Sequence, residues 1–556
     1  MIRINKFVMK KPILTLLILL AITSYFSYEI YDNARIETNL DKYMPENHPA
    51  FENSDYYEEL FDIDDSIVVA IENKNGIYNK ATFRQIIDIS EKLSKLDGID
   101  GDSIKSLATA DNITASDFGL EVNPFFTEIP KTEQEFTALK QAVNNNEMIS
   151  GRIVSENNNV TLIQAGLIEG GVDRIELYQA IQSNIRDSGG HTEIYIAGQP
   201  VIEGTLANLM PEDMKIMIPL VILIIAFVLL LTFRSIKSTL LTLGVVLFST
   251  IWAFGLMSAL GIPIYAVSTM IPVMLIALGV ADGVHLLSHL KDTISDNPQL
   301  TNTEAIADMI KNMWKPVVMT SVTTAVGFIS LLTSEVYAVK YFGLFTAFGV
   351  LAAMIFSLIF IPAGLKLFNL PKFRNKKNKT NINNKSIFNR ISDWVLNNNK
   401  KIIVISIIIF FVGIIGTQSL WINSSFLTKF QDDEDIIVAN NFINKHFGGT
   451  TNLNVVIKSE EANTLKNPKY LNDIWLLQNE LEEMEDVGDS LAITDFLRRI
   501  NKVMNEGKEE FNRIPETRDL TAQYLLLYSM SGDPDDLNSV IDYDYRRANL
   551  QVNLKG

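Results

Sequence analysis

The chain has 556 residues, 47% of them hydrophobic, with a formal net charge of −17 and a mean hydropathy of +0.15. An acidic chain is a poor nucleic-acid binder, because affinity for phosphate needs clustered Lys and Arg. The absence of cysteine excludes disulfides, thiolate metal sites, iron–sulfur clusters and cysteine nucleophiles, and five histidines (His48, His191, His285, His289, His446) are too few for a multi-histidine membrane metalloenzyme.

A bilayer core of about 30 Å needs about 20 apolar residues as a helix. The first such stretch is roughly Pro12–Tyr28, preceded by Arg3, Lys6, Lys10 and Lys11. No small-x-small cleavage site follows it, so it reads as an uncleaved anchor. Next comes a strand at Ser66–Ile71 and an amphipathic helix over Lys80–Leu96, with Phe83, Ile86, Ile87, Leu93 and Leu96 on one face. A strand at Ser103–Leu107, a helix near Glu133–Val143, a hairpin over Arg152–Leu167, a helix over Asp173–Arg186 and a strand at Glu193–Ala197 complete the region. Strand–helix–strand units of this size predict a ferredoxin-like α+β domain.

Six further spans follow: Met214–Phe233, Thr239–Leu260, Tyr265–Leu290, Pro316–Leu332, Tyr341–Leu367 and Ile402–Leu420. Lys and Arg of the short loops set orientation. The N-terminal flank, the turn with Arg234 and Lys237, the loop 291–315 and the linker after the sixth span are basic, whereas 261–264 and 334–338 carry no Lys or Arg. The N-terminus is therefore expected in the cytoplasm, and the segments 29–213 and 421–556 outside.

Those two segments repeat. Gly101-Asp102-Ser103 recurs as Gly488-Asp489-Ser490, Leu40 matches Leu427, and Leu162 matches Leu550, at offsets of 387 or 388. The expected organisation is a first anchor over 1–30, an exterior domain over 31–213, a five-helix bundle over 214–367, a basic cytoplasmic linker over 368–400, a seventh span over 401–421 and an incomplete second exterior domain over 422–556. The fold class is a polytopic α-helical membrane protein with two exterior α+β domains and an internal duplication.

Chemistry concentrates in the fourth and fifth spans. Asp282 is the Asp or Glu set well inside a hydrophobic span, where a charge costs about 3 kcal/mol on insertion scales, so it is a functional candidate. His285 and His289 follow at i+3 and i+7 on the same face. Asp282 lies nine residues from Lys291, about 13 Å from the cytoplasmic boundary at 1.5 Å per residue. Thr324 lies nine residues from Lys315, at similar depth in an antiparallel neighbour that also carries Thr320, Ser321 and Thr323. Asp282, His285, Thr323 and Thr324 make a candidate proton relay, since a carboxyl there can alternate between protonated and charged forms. The plainer alternative is polar glue between helices. Gly279, Gly283, Gly327, Gly343 and Gly349 read as close-packing positions.

The string Gly279-Val280-Ala281-Asp282-Gly283-Val284-His285, followed by Lys315-Pro316-Val317-Val318-Met319-Thr320-Ser321-Val322-Thr323-Thr324-Ala325-Val326-Gly327-Phe328, resembles the resistance-nodulation-division (RND) superfamily. The likeness is closest to its MMPL-type, sterol-sensing-domain-like exporter branch, and it runs through the whole chain. It implies export of hydrophobic or lipid-like molecules driven by the proton-motive force, with porter-type exterior domains and a fourth-span carboxylate, here Asp282, as proton carrier. Many MMPL members show Asp-Tyr at this point, where this chain has Ala281-Asp282. The resemblance further implies a bacterial inner membrane, contacts with membrane lipids, and a homo-oligomer or a periplasmic accessory protein, with no cofactor and no enzyme activity.

Other classes fit less well. An intramembrane aspartyl protease needs two embedded Asp residues. A metal site of Asp282, His285 and His289 lacks a fourth ligand. The phosphate-loop pattern Gly-x-x-x-x-Gly-Lys-Ser/Thr is missing, which argues against ATP drive. A non-transporting, lipid-sensing membrane protein of the same fold remains the alternative. A complete duplication with this offset would reach about 750–800 residues and twelve spans, so the sequence reads as about three quarters of a longer protein.

Overall fold

The structure, a computed structural model, describes residues 7–555 apart from 46–47, 64, 117–118, 169–171, 173, 189, 369–386 and 421–426. It is mostly helical, and among the described residues seven helices are long and apolar enough to cross a membrane.

After α1 (Pro12–Asn33) come α2 (Pro49–Phe61), β1 (Ser66–Glu72), α3 (Lys80–Leu93), β2 (Lys105–Ser106), β3 (Asp111–Ser116), β4 (Gly119–Pro124), α4 (Glu133–Asn144), β5 (Val160–Gly166), α5 (Arg174–Asn184) and β6 (Glu193–Ala197). The Asn79 side chain accepts the Ala81 and Thr82 amides and so starts α3, which buries Phe83, Ile86, Ile89 and Leu93. Antiparallel pairing gives the order β2-β5-β1-β6, with Val69 opposite both Ile163 and Ile196.

Two expected strands shrink. The hairpin over Arg152–Leu167 is reduced to β5 plus a single bridge, Val154 to Thr161. The amides of Arg152, Ile153 and Val154 all turn back onto the Ile149 carbonyl, so they are not free for a ladder. The strand over Ser103–Leu107 keeps only Lys105–Ser106.

Helix α6 (Gln199–Phe233) runs unbroken from the exterior region into the bundle. Pro200 sits in its first turn, where a missing N–H costs nothing, and so opens the helix. Its 35 residues measure about 52 Å, well over the apolar core of a bilayer. The spanning part begins near residue 214; the turns before it pack on α5, with Gly204 so close to Tyr178 that a Cβ would stand 2.3 Å from its Cβ.

The bundle continues with α7 (Ile236–Ala259), α8 (Ile271–Asp296), α9 (Asn302–Ile329) and α10 (Tyr337–Phe368). Helix α9 starts 14 residues before Pro316, at a capping box in which Thr301 and Glu304 satisfy each other's backbone amides. Helices α7, α8 and α10 hold most of the buried residues and form the centre; α1, α6 and α9 flank them. The first span is therefore packed rather than a bare anchor. Trp252 Nε1 donates to Thr23 Oγ1 at 2.9 Å, and Gly255 lets Phe26 lie against α7. Helices α11 (Ile387–Asn397) and α12 (Asn399–Thr417) follow, and α12 buries no residue. The basic linker falls largely on 369–386, outside the described residues.

The last region holds α13 (Asp435–Phe447), β7 (Thr451–Lys458), α14 (Pro468–Glu482), β8 (Val487–Leu491), α15 (Ile493–Met504), α16 (Arg518–Ser531) and β9 (Arg547–Leu554). Its sheet order is β7-β9-β8. Leu162 pairs with Ala70 in the first sheet, and Leu550 pairs with Val455 in the second.

The two α+β regions exchange elements. Ile436, Ala439, Ile443 and Phe447 of α13 join the core of the first sheet, and Phe442 stacks on Tyr195 with centroids 3.9 Å apart. In return, Ile113 of β3 and Leu120 of β4 join the core around Phe496, Tyr524 and Tyr528. Arg152 and Asp489 close the joint as an ion pair.

Candidate functional site

Helix α8 opens with Pro272 in its first turn and carries Gly279 and Gly283 on its inner face. A Cβ at Gly279 would stand 3.2 Å from the Ala353 Cβ, and one at Gly283 would stand 2.7 Å from the Thr242 Cγ2. Small residues at these crossings let α7 and α10 approach α8 closely. Gly327 differs from its expected packing role, because a Cβ there would meet nothing within 4 Å. Gly343 and Gly349 do face neighbours closely, the Phe328 carbonyl and Leu275.

Asp282 is buried at 6% exposure between α8 and α9. Ser321 Oγ donates to its Oδ2 at 3.0 Å. The hydroxyls singled out by depth point elsewhere. Thr323 is exposed and donates to the Met319 and Thr320 carbonyls of its own helix. Thr324 is half-buried, without a side-chain hydrogen bond among the described residues. His285 is exposed one turn beyond Asp282. His289 Nδ1 lies 3.2 Å from Thr293 Oγ1, and that hydroxyl donates to Asp308 Oδ2 at 3.2 Å, tying the end of α8 to α9. The structure thus joins Asp282 to Ser321 and leaves His285, Thr323 and Thr324 outside that contact. Val317, Ser321 and Ala325, spaced by four, are the buried stripe of α9 beyond Pro316, a signal that helical periodicity in the sequence carries.

The one carboxyl with no exposed surface among the described residues escaped the sequence reading. Glu203, in the part of α6 outside the spanning segment, has no exposed surface. Its Oε1 accepts the Leu40 amide at 3.1 Å and Gln199 Nε2 at 3.3 Å, and Arg174 Nε stands 3.3 Å from Oε2. Burial pushes its pKa up to about 7, against the opposing pull of the Leu40 amide, Arg174 and Gln199. Its only sequence signal is position: a Glu one turn into a helix that then becomes apolar.

Among the described residues, seven apolar helices with one folded α+β region between α1 and α6 and a second after α12 are the architecture of a multi-pass membrane protein. A profile of the MMPL family matches residues 53–398, more than half of the chain and the whole of α8 and α9, and the chain belongs to that family. It is also similar, at 23% identity over 379 residues, to the "Putative membrane protein MJ1562" of Methanocaldococcus jannaschii; the match covers 65% of this chain and 92% of that one.

Proposed function

We propose that the chain is an RND-type exporter of hydrophobic or lipid-like molecules, driven by the proton-motive force, with Asp282 as proton carrier. The observation that carries this reading is the buried Asp282 carboxyl held by Ser321 between two spanning helices. A carboxyl inside a bilayer is costly and marks a functional site by default, and relaying a proton is one of the tasks such groups perform. Ser321 is the hydroxyl in contact with it, and His285 stands one turn away as the next ionisable group.

On this reading the α+β regions are porter-type domains related by duplication. The matching strand orders β2-β5-β1 and β8-β9-β7 and the reciprocal exchange of α13 and the β3–β4 hairpin support that view. The loop charges support a cytoplasmic N-terminus and exterior α+β regions, and the resemblance to RND exporters is what suggests a bacterial inner membrane.

The test is efflux of a hydrophobic dye such as Nile red from proteoliposomes under an imposed pH gradient. The wild-type chain moves the dye and Asp282→Asn, equally well reconstituted, does not. Full dye efflux by Asp282→Asn removes the relay, and a wild-type chain that moves nothing favours a lipid-sensing protein of the same fold.

A further inference from the structure

The segment after α1 straps the bundle to the first α+β region. On the bundle side it is held by the α7–α8 turn: Ile264 N donates to the Arg35 carbonyl at 2.7 Å, Glu37 N to the Ile264 carbonyl at 3.1 Å, and Ala266 N to the Tyr43 hydroxyl at 3.2 Å. On the other side Leu40 N donates to Glu203 Oε1 at 3.1 Å. The first turns of α6, which carry Glu203, are fixed to the α+β region. Gly198, at φ +113°, backs onto the start of β1, where a Cβ would stand 2.3 Å from the Ser66 carbonyl oxygen, and Gly204 is packed on Tyr178 of α5. The strap is therefore the side of this joint that can part.

The Glu203 carboxyl has no exposed surface and is satisfied on one side only. Oε1 accepts from Leu40 N and from Gln199 Nε2, whereas Oε2 accepts no hydrogen bond among the described residues, although Arg174 Nε stands 3.3 Å from it. Arg174 is shared, because its Nη2 donates to Asp65 Oδ2 at 3.3 Å. The strap brings Asp41, which also feels Arg174 and Gln199, and the Tyr43 hydroxyl, with Asp55 of α2 behind Asp41 and Tyr265 of the α7–α8 turn behind Tyr43. Lys42 of the strap lies 3.6 Å from Glu37. One guanidinium thus faces several acids. A carboxylate with a bare oxygen is costly out of water, and a neutral carboxyl is far less so.

We infer that Glu203 is a proton-operated latch for this joint: with its proton on it holds the strap against the α+β region, and with its proton off the strap parts so that water reaches the carboxylate. A charge change at one group, biasing an element with two positions, is the general form of such switches. The latch is separate from Asp282, midway along α8, and it does not depend on the export reading.

Hydrogen exchange of the amides of residues 39–43, in the full chain in maltoside micelles and corrected for the base-catalysed rate, tests it. A carboxyl of pKa about 7 when latched and 4.5 when released makes opening rise about tenfold between pH 6 and pH 8 and level off above pH 7. Glu203→Gln, permanently neutral, should hold its protection within twofold over that range. Arg174→Gln removes the neighbour that opposes burial, so its opening should level off at higher pH; it keeps the carboxyl and tests the latch even where the glutamine variant fails to fold. Asp282→Asn should show the same tenfold rise as the wild type, which sets the latch apart from the relay. Wild-type protection constant within twofold, a tenfold rise that persists in Glu203→Gln, or an unmoved levelling-off in Arg174→Gln overturns the assignment.

Discussion

Two carboxyls, Asp282 and Glu203, are the residues on which the structure turns. Asp282 was legible in the sequence because an acid inside an apolar run stands out at once. Its partner was harder to read, since depth alone cannot tell which hydroxyl of a helix faces its neighbour. Counting from Lys315 favoured Thr324, while the rotation of α9 presents Ser321. Ser321→Ala is accordingly expected to slow dye efflux about tenfold, as loss of one charge-assisted hydrogen bond does; Thr323→Ala and Thr324→Ala should stay within twofold. Equal losses in all three would place the relay elsewhere.

Glu203 yields a prediction of different kind. Its folded-state pKa is about 7, against 4.5 for a free glutamate. Between those values the folded chain holds a proton that the unfolded chain has released. Stability contributed at this site is therefore greatest below about pH 4.5 and falls as pH rises toward 7, by on the order of 3 kcal/mol in all. Thermal melts of Glu203→Gln should lose that part of the slope. An unchanged slope would mean that Glu203 is already ionised in the folded chain.

At the scale of elements, periodicity located the helices and local pairing located most of the strands. The failures share a cause. The hairpin β3–β4 has only Ile113, Leu120 and Val122 to signal it, and its apolar partners lie on α15 and α16 far along the chain. The apolar run predicts a span from Met214, whereas helix α6 begins at Gln199 with Pro200 in its first turn. Glycines in the bundle were legible as a group but not singly. Gly283→Val should drive a methyl into Thr242 and destabilise the fold by about 2 kcal/mol. Gly327→Ala, with open space around it, should be neutral or stabilise by up to about 1 kcal/mol. Melting followed by tryptophan fluorescence distinguishes them, and equal effects would contradict the helix crossing described.

For the whole molecule, the exchange of α13 for the β3–β4 hairpin makes the two α+β regions one interlocked body. No sequence signal announces it, because the partners of each exchanged element lie hundreds of residues away along the chain. The constant offset in the sequence is what proposes a repeat, and the basic loops are what propose an orientation. A reporter fused near Asn157 should score exterior and one near Asn378 cytoplasmic; the reverse pattern would invert the molecule.

The central claim is that a proton crosses by way of Asp282 as a hydrophobic molecule moves the other way. The most direct test is proton flux in proteoliposomes loaded with a pH-sensitive dye, recorded when a gradient of hydrophobic substrate is imposed. The wild-type chain should couple substrate movement to proton counterflow and Asp282→Asn should abolish that counterflow. Proton counterflow undiminished in Asp282→Asn would contradict it.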